Sequence, residues 1–265
     1  MEVIICDTPE KVASMAADFV CTAVSRKPGI VLGLATGSTP VALYRELVLR
    51  NHAGTVSFKG VTTFNLDEYV GLPPDHPQSY RYFMNEQLFN HVDIDKARTF
   101  VPEGMLANPM DAGPAYEKRI SAAGGIDLQI LGIGTNGHIA FNEPTSSLCS
   151  RTRVKTLTKR TVDDNSRFFQ QGEYQPTMAI TMGIGTVMEA RQILLLATGA
   201  NKAQAVAASI EGPLSAFCPA SVLQMHNRTT FILDRDAASG LKLGEYYSYV
   251  RGLQEDLDTR FGART

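Results

Sequence analysis

In the stretch GIGTNGHIAFNEP, Gly132 to Pro144, a glutamate follows a histidine by five residues and stands against a proline. Histidine is the side chain that titrates nearest neutrality, and a carboxylate in the same loop can orient its ring. His138 and Glu143 therefore read as a base and its orienting partner. The stretch also carries G-x-G-x-x-G at Gly132, Gly134 and Gly137, the spacing of a dinucleotide fingerprint. Such a fingerprint opens a long helix and is followed about 20 residues later by an acid for the ribose. Here Pro144 interrupts early, and twenty residues past Gly137 the chain reads VKTLT, with no acid. The glycines serve tight turning and close ligand approach instead, and a nicotinamide oxidoreductase is disfavoured.

Other stretches add chemistry of their own. NLDEYVGLP offers adjacent carboxylates, Asp67 and Glu68, of which Asp67 lies nearer a strand end. GLATGSTP, Gly33 to Pro40, reads as strand, glycine turn and helix, with Thr39 as N-cap and Pro40 in the first helical position. Backbone N–H groups at such a turn bind phosphate, helped by the helix dipole. The loop lacks the G-x-x-x-x-G-K of a nucleoside triphosphate site. TGANK places Lys202 at a helix start, where it can add to an anion site. From Arg151 to Arg167 the chain holds six basic and two acidic residues, which reads either as a solvated face or as a mobile lid.

These loops need elements to position them. Apolar runs at Val3–Ile5, Ile30–Leu34, Val61–Asn65, Leu128–Leu131, Ile193–Ala197 and Thr230–Leu233 read as strands. Between them, Val41–Arg50, Ser79–Phe89, Pro114–Ala122 and Lys202–Ile210 have helical period. Continuous apolar strands separated by helices predict a parallel sheet covered on both faces, an α/β sandwich. Each polar motif follows one of the strands, and ligands of such sheets bind beyond the strands' carboxyl ends. The loops are therefore expected to converge on one crevice. No repeat or linker divides the 265 residues, so a single domain over 1–265 is expected, with a lid near 151–176.

Net charge is −2, from 25 basic and 27 acidic residues, which gives no footprint for nucleic acid. No apolar run reaches the ~18 residues of a membrane span, and the opening MEVIICD is too short in its apolar run for a signal peptide. Cys6, Cys21, Cys149 and Cys218 lack paired spacing, so reduced thiols and a cytoplasmic location are expected.

With these loops in view, the chain resembles the glucosamine-6-phosphate deaminase family. The resemblance is densest at LGLATGSTP, VTTFNLDEYVGLP, GHIAFNEPTSSLCSRTRVKTLT, NSRFF and MGIGTVMEAR. It implies a Rossmann-like three-layer sandwich with a mainly parallel central sheet, and an enzyme needing no metal or other cofactor. The implied activity is isomerisation and deamination of glucosamine 6-phosphate to fructose 6-phosphate and ammonia, classed as that of a hydrolase acting on an amino-sugar phosphate. By the resemblance, Asp67 moves a proton from C2 towards C1, His138 opens the pyranose ring, and Glu143 orients and tunes the histidine. Thr36, Gly37, Ser38 and Thr39 hold the phosphate, with Arg167 and Lys202 completing the clamp.

Two positions depart from many members of the family. Asn136 stands where an acid is common; it can hydrogen-bond the imidazole but brings no charge. Ser38 replaces a further glycine. Some members are hexamers switched on by N-acetylglucosamine 6-phosphate at subunit interfaces. Ser146, Arg153, Lys155 and Thr156 match the activator positions, whereas GPLSAFCPASVLQMH resembles the unregulated, lower-order branch more closely. Regulation and a homo-oligomer are thus both left open. A sugar-phosphate lactonase of related fold would have no use for the NLDEY carboxylate in C2 proton transfer. A non-catalytic sugar-phosphate sensor would be expected to carry a DNA-binding helix-turn-helix, whereas this chain begins directly with a strand.

Overall fold

The computed structural model describes residues 1–157, 162, 169 and 172–262. In chain order its strands are β1 (Glu2–Cys6), β2 (Val31–Leu34), β3 (Thr62–Asn65), β4 (Asp67–Tyr69), β5 (Thr99–Phe100), β6 (Leu128–Leu131), β7 (Arg153–Thr156), β8 (Met178–Thr181), β9 (Gln192–Ala197) and β10 (Thr229–Asp234). The α-helices are α1 (Pro9–Arg26), α2 (Ser38–His52), α3 (Tyr80–Met84), α4 (Ala112–Ala122), α5 (Ile184–Met188), α6 (Ala203–Ile210), α7 (Arg235–Ala238) and α8 (Gly244–Phe261).

Seven strands form one sheet in the order β1-β10-β9-β6-β2-β3-β5, and every neighbouring pair is parallel. The inner strands are buried on both faces, which is why most of them read as largely apolar runs. Alternate side chains go to opposite layers. Leu32, Leu34, Leu128, Ile130, Leu194, Leu196 and Ile232 pack with Val12, Val20, Leu43 and Tyr44 of α1 and α2. Val31, Phe64, Leu131, Ile193, Leu195, Phe231 and Leu233 pack with Tyr116, Val187, Val206 and Ile210 of the opposite helices. The result is a three-layer α/β sandwich.

The chain runs outward one way from β2 through β3 to β5, and the other way from β6 through β9 to β10. The switch point therefore lies between β2 and β6, and the loops leaving these two strands flank a crevice there.

A second, antiparallel sheet, β4-β8-β7, is not apparent from the sequence. Its strands are short and partly polar, and each pairs with residues far along the chain. Leu66 joins the two sheets: its N–H donates to the Leu34 carbonyl (3.0 Å) and its carbonyl accepts from Met182 N–H (2.7 Å). That hinge delivers Asp67 to the crevice.

Two further expectations are adjusted. Gly37, at φ +113°, is the N-cap of α2, so Thr39 and Pro40 are its second and third helical residues rather than N-cap and first residue. Glycine tolerates this backbone and lets the helix begin early. The helix expected over Ser79–Phe89 divides into α3 and a π-helical turn at Asn85–Phe89.

Candidate active site

A cavity of about 440 Å³ opens at the switch point. Thr36–Pro40 after β2, Asp67 after β3, Gly132–Glu143 after β6 and Lys202 after β9 all contribute to its lining. One wall carries a relay. The carboxylate of Glu143 can only accept, so the Asn136 amide turns its Nδ2 towards Oε2, at 2.6 Å. The amide oxygen then faces His138 Nδ1 at 2.7 Å. Nδ1 must carry the proton, and Glu143 Oε1 lies 3.3 Å from it. Nε2 is left as the basic nitrogen of the neutral ring. The hydrogen bond from His138, aided by one from Asn136 and by the charge of Lys155, holds Glu143 below the usual carboxylate range despite its partial burial.

Backbone geometry sets this relay. The His138 imidazole lies against the α-carbon of Gly134, where a Cβ would meet Cε1 at 2.2 Å, so a side chain there would displace the ring. Ala140, which lines the cavity, takes φ +52°, a left-handed conformation costing an alanine on the order of 1 kcal/mol. Local strain of this kind persists where the surroundings over-determine the loop. After β6 no helix begins through Ser150, unlike a dinucleotide-binding turn.

The opposite wall is different in kind. Asp67 is buried and accepts no hydrogen bond among the described residues. Burial, together with the adjacent charge of Glu68, pushes its pKa up to about 8. Tyr80 completes this wall. Its hydroxyl donates to Tyr69 Oη at 3.2 Å, and its ring stacks 6.2 Å from that of Phe141. Tyr80 and Phe141 both line the cavity. Sequence reasoning overlooked them, because an aromatic residue in an amphipathic segment carries no mark that separates a site wall from core.

At the far end, the first N–H groups of α2 have no side-chain cap, and no acid stands in its first turn. Thr36, Gly37, Ser38 and Thr39 line the cavity here. Tyr44 steadies the loop through a 2.5 Å bond from its hydroxyl to the Ala35 carbonyl. Lys202 reaches the same cavity, forms no salt bridge among the described residues, and has its pKa lowered by burial. Uncapped N–H groups and an unpaired ammonium form a seat for an anion. Arg167 lies outside the described residues.

The residues matching the activator positions surround the loop that carries Glu143. Arg153 Nη1 donates to Asn142 Oδ1 at 3.0 Å, and Lys155 acts electrostatically on Glu143. Ser146 is buried with an unpartnered hydroxyl, and Thr156 is exposed.

The family model described as glucosamine-6-phosphate isomerases/6-phosphogluconolactonase matches residues 7–232. The glucosamine-6-phosphate deaminase of Cellvibrio japonicus is 58% identical over 262 residues, 99% of this chain and 100% of its own length. That of Hahella chejuensis is 59% identical over 251 residues, 95% of this chain and 96% of its own. Among solved structures, a monomeric glucosamine-6-phosphate deaminase matches with TM-score 0.86 and 43% identity, covering 91% of this chain and 100% of that one. The 6-phosphogluconolactonase of Trypanosoma cruzi matches with TM-score 0.73 over 91% of this chain and 97% of its own, at 21% identity, a likeness of fold alone.

These findings correct one expectation. The family is described by isomerisation and the relatives by deamination, so the class of hydrolase does not stand. Matched by the family model over most of its length, and identical to curated relatives at more than half of the aligned positions, the chain belongs to the glucosamine-6-phosphate isomerase/6-phosphogluconolactonase family.

Proposed function

We propose that the protein isomerises and deaminates glucosamine 6-phosphate, giving fructose 6-phosphate and ammonia. One observation carries this reading: a buried carboxylate with no hydrogen-bond donor, Asp67, shares a cavity with the His138–Asn136–Glu143 relay and an anion seat. The phosphate rests on the start of α2 and on Lys202, with Arg167 assigned to the same clamp. Nε2 of His138 takes the anomeric hydroxyl proton and returns one to the ring oxygen, which opens the pyranose. Asp67 then removes the C2 proton and delivers it to C1. Water then adds to the C2 imine that results, and ammonia leaves from the same carbon to give the ketose. Proton removal from carbon demands a base of high proton affinity, which Asp67 has and an ordinary carboxylate lacks.

The whole chain acts in this reading as one sugar-phosphate domain with a lid near 151–176, of which residues 158–161, 163–168, 170 and 171 lie outside the described residues. Its described end is tied to the loop beyond Asp67, since Tyr174 Oη donates to the Val70 carbonyl at 3.2 Å and His76 Nε2 meets Glu173 at 2.7 Å. We propose N-acetylglucosamine 6-phosphate as a candidate activator. Arg153 and Lys155 would couple it to the site through the loop that carries Glu143. Helix α8 supports a homo-oligomer. It turns Tyr247, Arg251 and Gln254 towards the body and leaves Tyr246, Tyr249, Leu253, Leu257 and Phe261 exposed, Tyr249 at 67% and Phe261 at 80%. Free thiols at Cys6, Cys21, Cys149 and Cys218 support a reducing, cytoplasmic setting. No helix among the described residues is long and apolar enough to cross a membrane.

Incubation with glucosamine 6-phosphate tests the reading. Ammonia and fructose 6-phosphate should appear in equal amounts. Release of neither product, with hydrolysis of 6-phosphogluconolactone instead, would replace it with the lactonase.

A further inference from the structure

Glu68 follows Asp67 in β4, and successive strand residues face opposite ways. Asp67 lines the cavity whereas Glu68 does not, yet Glu68 is equally buried. Its Oε1 accepts from the N–H groups of Tyr69 (2.8 Å) and Tyr80 (2.9 Å), and its Oε2 from that of Arg81 (2.9 Å). Both oxygens act as acceptors, an arrangement that suits a carboxylate and not a carboxylic acid. Arg81 is not its ion-pair partner. The guanidinium bonds Thr99 instead, at 2.8 Å to Oγ1 and 2.7 Å to the carbonyl. Burial pushes the pKa of Glu68 up to about 7, against the three N–H groups and the charge of Arg81, which lower it, so Glu68 ionises before Asp67 does.

We infer that Glu68 is a positioning residue for the proton transfer at Asp67: its clamped carboxylate, ionised where Asp67 titrates, supplies a negative charge that makes Asp67 a stronger base, and ties Tyr80 into the cavity wall. The inference rests on the reading of Asp67 as the base. A like charge on a neighbouring buried group disfavours ionisation of Asp67, and no donor on the cavity side offsets it. The other groups that bear on Asp67 are Tyr80 of α3, Tyr116 of α4, and His138 and Lys202 across the cavity. Both tyrosines are driven above their ordinary range by burial and stay neutral. The competing account makes Glu68 only a remote cap for α3, holding the N–H groups of Tyr80 and Arg81. Such a cap would affect stability and leave the titration of Asp67 alone.

Carbon-13 NMR of carboxyl-labelled aspartate in the full chain separates the two, with the Asp67 signal identified by its loss in Asp67→Asn. In Glu68→Gln the Asp67 midpoint should fall by about one pH unit or more, the usual effect of a removed neighbouring charge. Glu68→Asp keeps the charge and should hold the midpoint near its wild-type value, even at reduced stability. The acid limb of kcat/KM should follow the same order. An Asp67 midpoint unmoved in folded Glu68→Gln overturns the inference. If that variant does not fold, a wild-type Asp67 that titrates in the ordinary carboxylate range overturns it equally. The titration needs no substrate. Should the midpoint move while no variant releases ammonia, the coupling stands and the proposed activity fails.

Discussion

Two carboxylates face each other across one cavity and are driven in opposite directions. Asp67, on the short β4 strand, is buried, accepts no hydrogen bond among the described residues, and has a like charge beside it, so its pKa rises to about 8. Glu143, on a turn-rich loop, accepts from Asn136 and pairs with His138, so its pKa falls below the usual range. Identical functional groups thus become a proton carrier and a permanent anion. Pairs of titratable groups pushed apart by their surroundings mark acid and base assignments. Here the difference is made by backbone architecture: a strand that leaves one sheet for another against a loop that folds back on its own side chains.

The largest effect should come from breaking the Asp67 side. Asp67→Asn should lower turnover by about 10²–10⁴-fold, the usual cost of losing a positioned base, while binding of the sugar phosphate persists. The same change should stabilise the protein at alkaline pH. A carboxylate with a raised folded pKa keeps its proton in the native state after the unfolded chain has lost it, so stability falls as pH climbs from about 4 to 8. Asparagine removes that cost. Melting temperatures of the two proteins should coincide below pH 4 and diverge in favour of Asp67→Asn by pH 8. A wild type that melts no lower at pH 8 would contradict the environment assigned to Asp67.

On the Glu143 side, His138→Gln should lower turnover of the cyclic sugar by roughly 10²-fold, because glutamine cannot shuttle a proton. Most of the loss should be recovered when substrate is supplied in open-chain form. Equal defects on both forms would show that the relay does more than open the ring. Smaller again is Lys202→Ala, which should raise KM by about 10–100-fold through loss of a charge-assisted contact and weaken inhibition by inorganic phosphate. Unchanged phosphate inhibition would move the anion seat elsewhere. The smallest effect should be that of Asn136→Asp. A negative charge 2.7 Å from His138 Nδ1 favours the cationic ring, so the histidine limb of the kcat/KM profile should rise by less than about one pH unit, Glu143 already supplying one anion. Superimposable profiles at equal stability would make Asn136 a holder of the turn only.

Six strands of the main sheet were legible because both of their faces are buried, which leaves runs such as ILLLA at Ile193–Ala197, whereas the two-residue edge strand β5 at Thr99–Phe100 was too short to leave such a run. The loops at their carboxyl ends could then be placed by topology. The second sheet was not legible. DEY and RVKT have no apolar alternation, and their pairing is fixed by contacts more than a hundred residues away for β4 and about 25 for β7. Tyr80 escaped for a related reason. It is brought to Asp67 by its own backbone N–H binding Glu68, and a backbone donor leaves no trace in side-chain spacing. The start of α2 was misread because Thr39 and Pro40 look like a cap and first turn, whereas Gly37 at positive φ admits the helix two residues sooner.

The central claim is that Asp67 carries the proton between C2 and C1. Glucosamine 6-phosphate deuterated at C2 tests it most directly. With wild-type protein the label should leave C2, appearing at C1 or in water as fructose 6-phosphate forms. With Asp67→Asn, folded and still binding the sugar, it should remain at C2. Loss of the label at a comparable rate in Asp67→Asn would contradict the account.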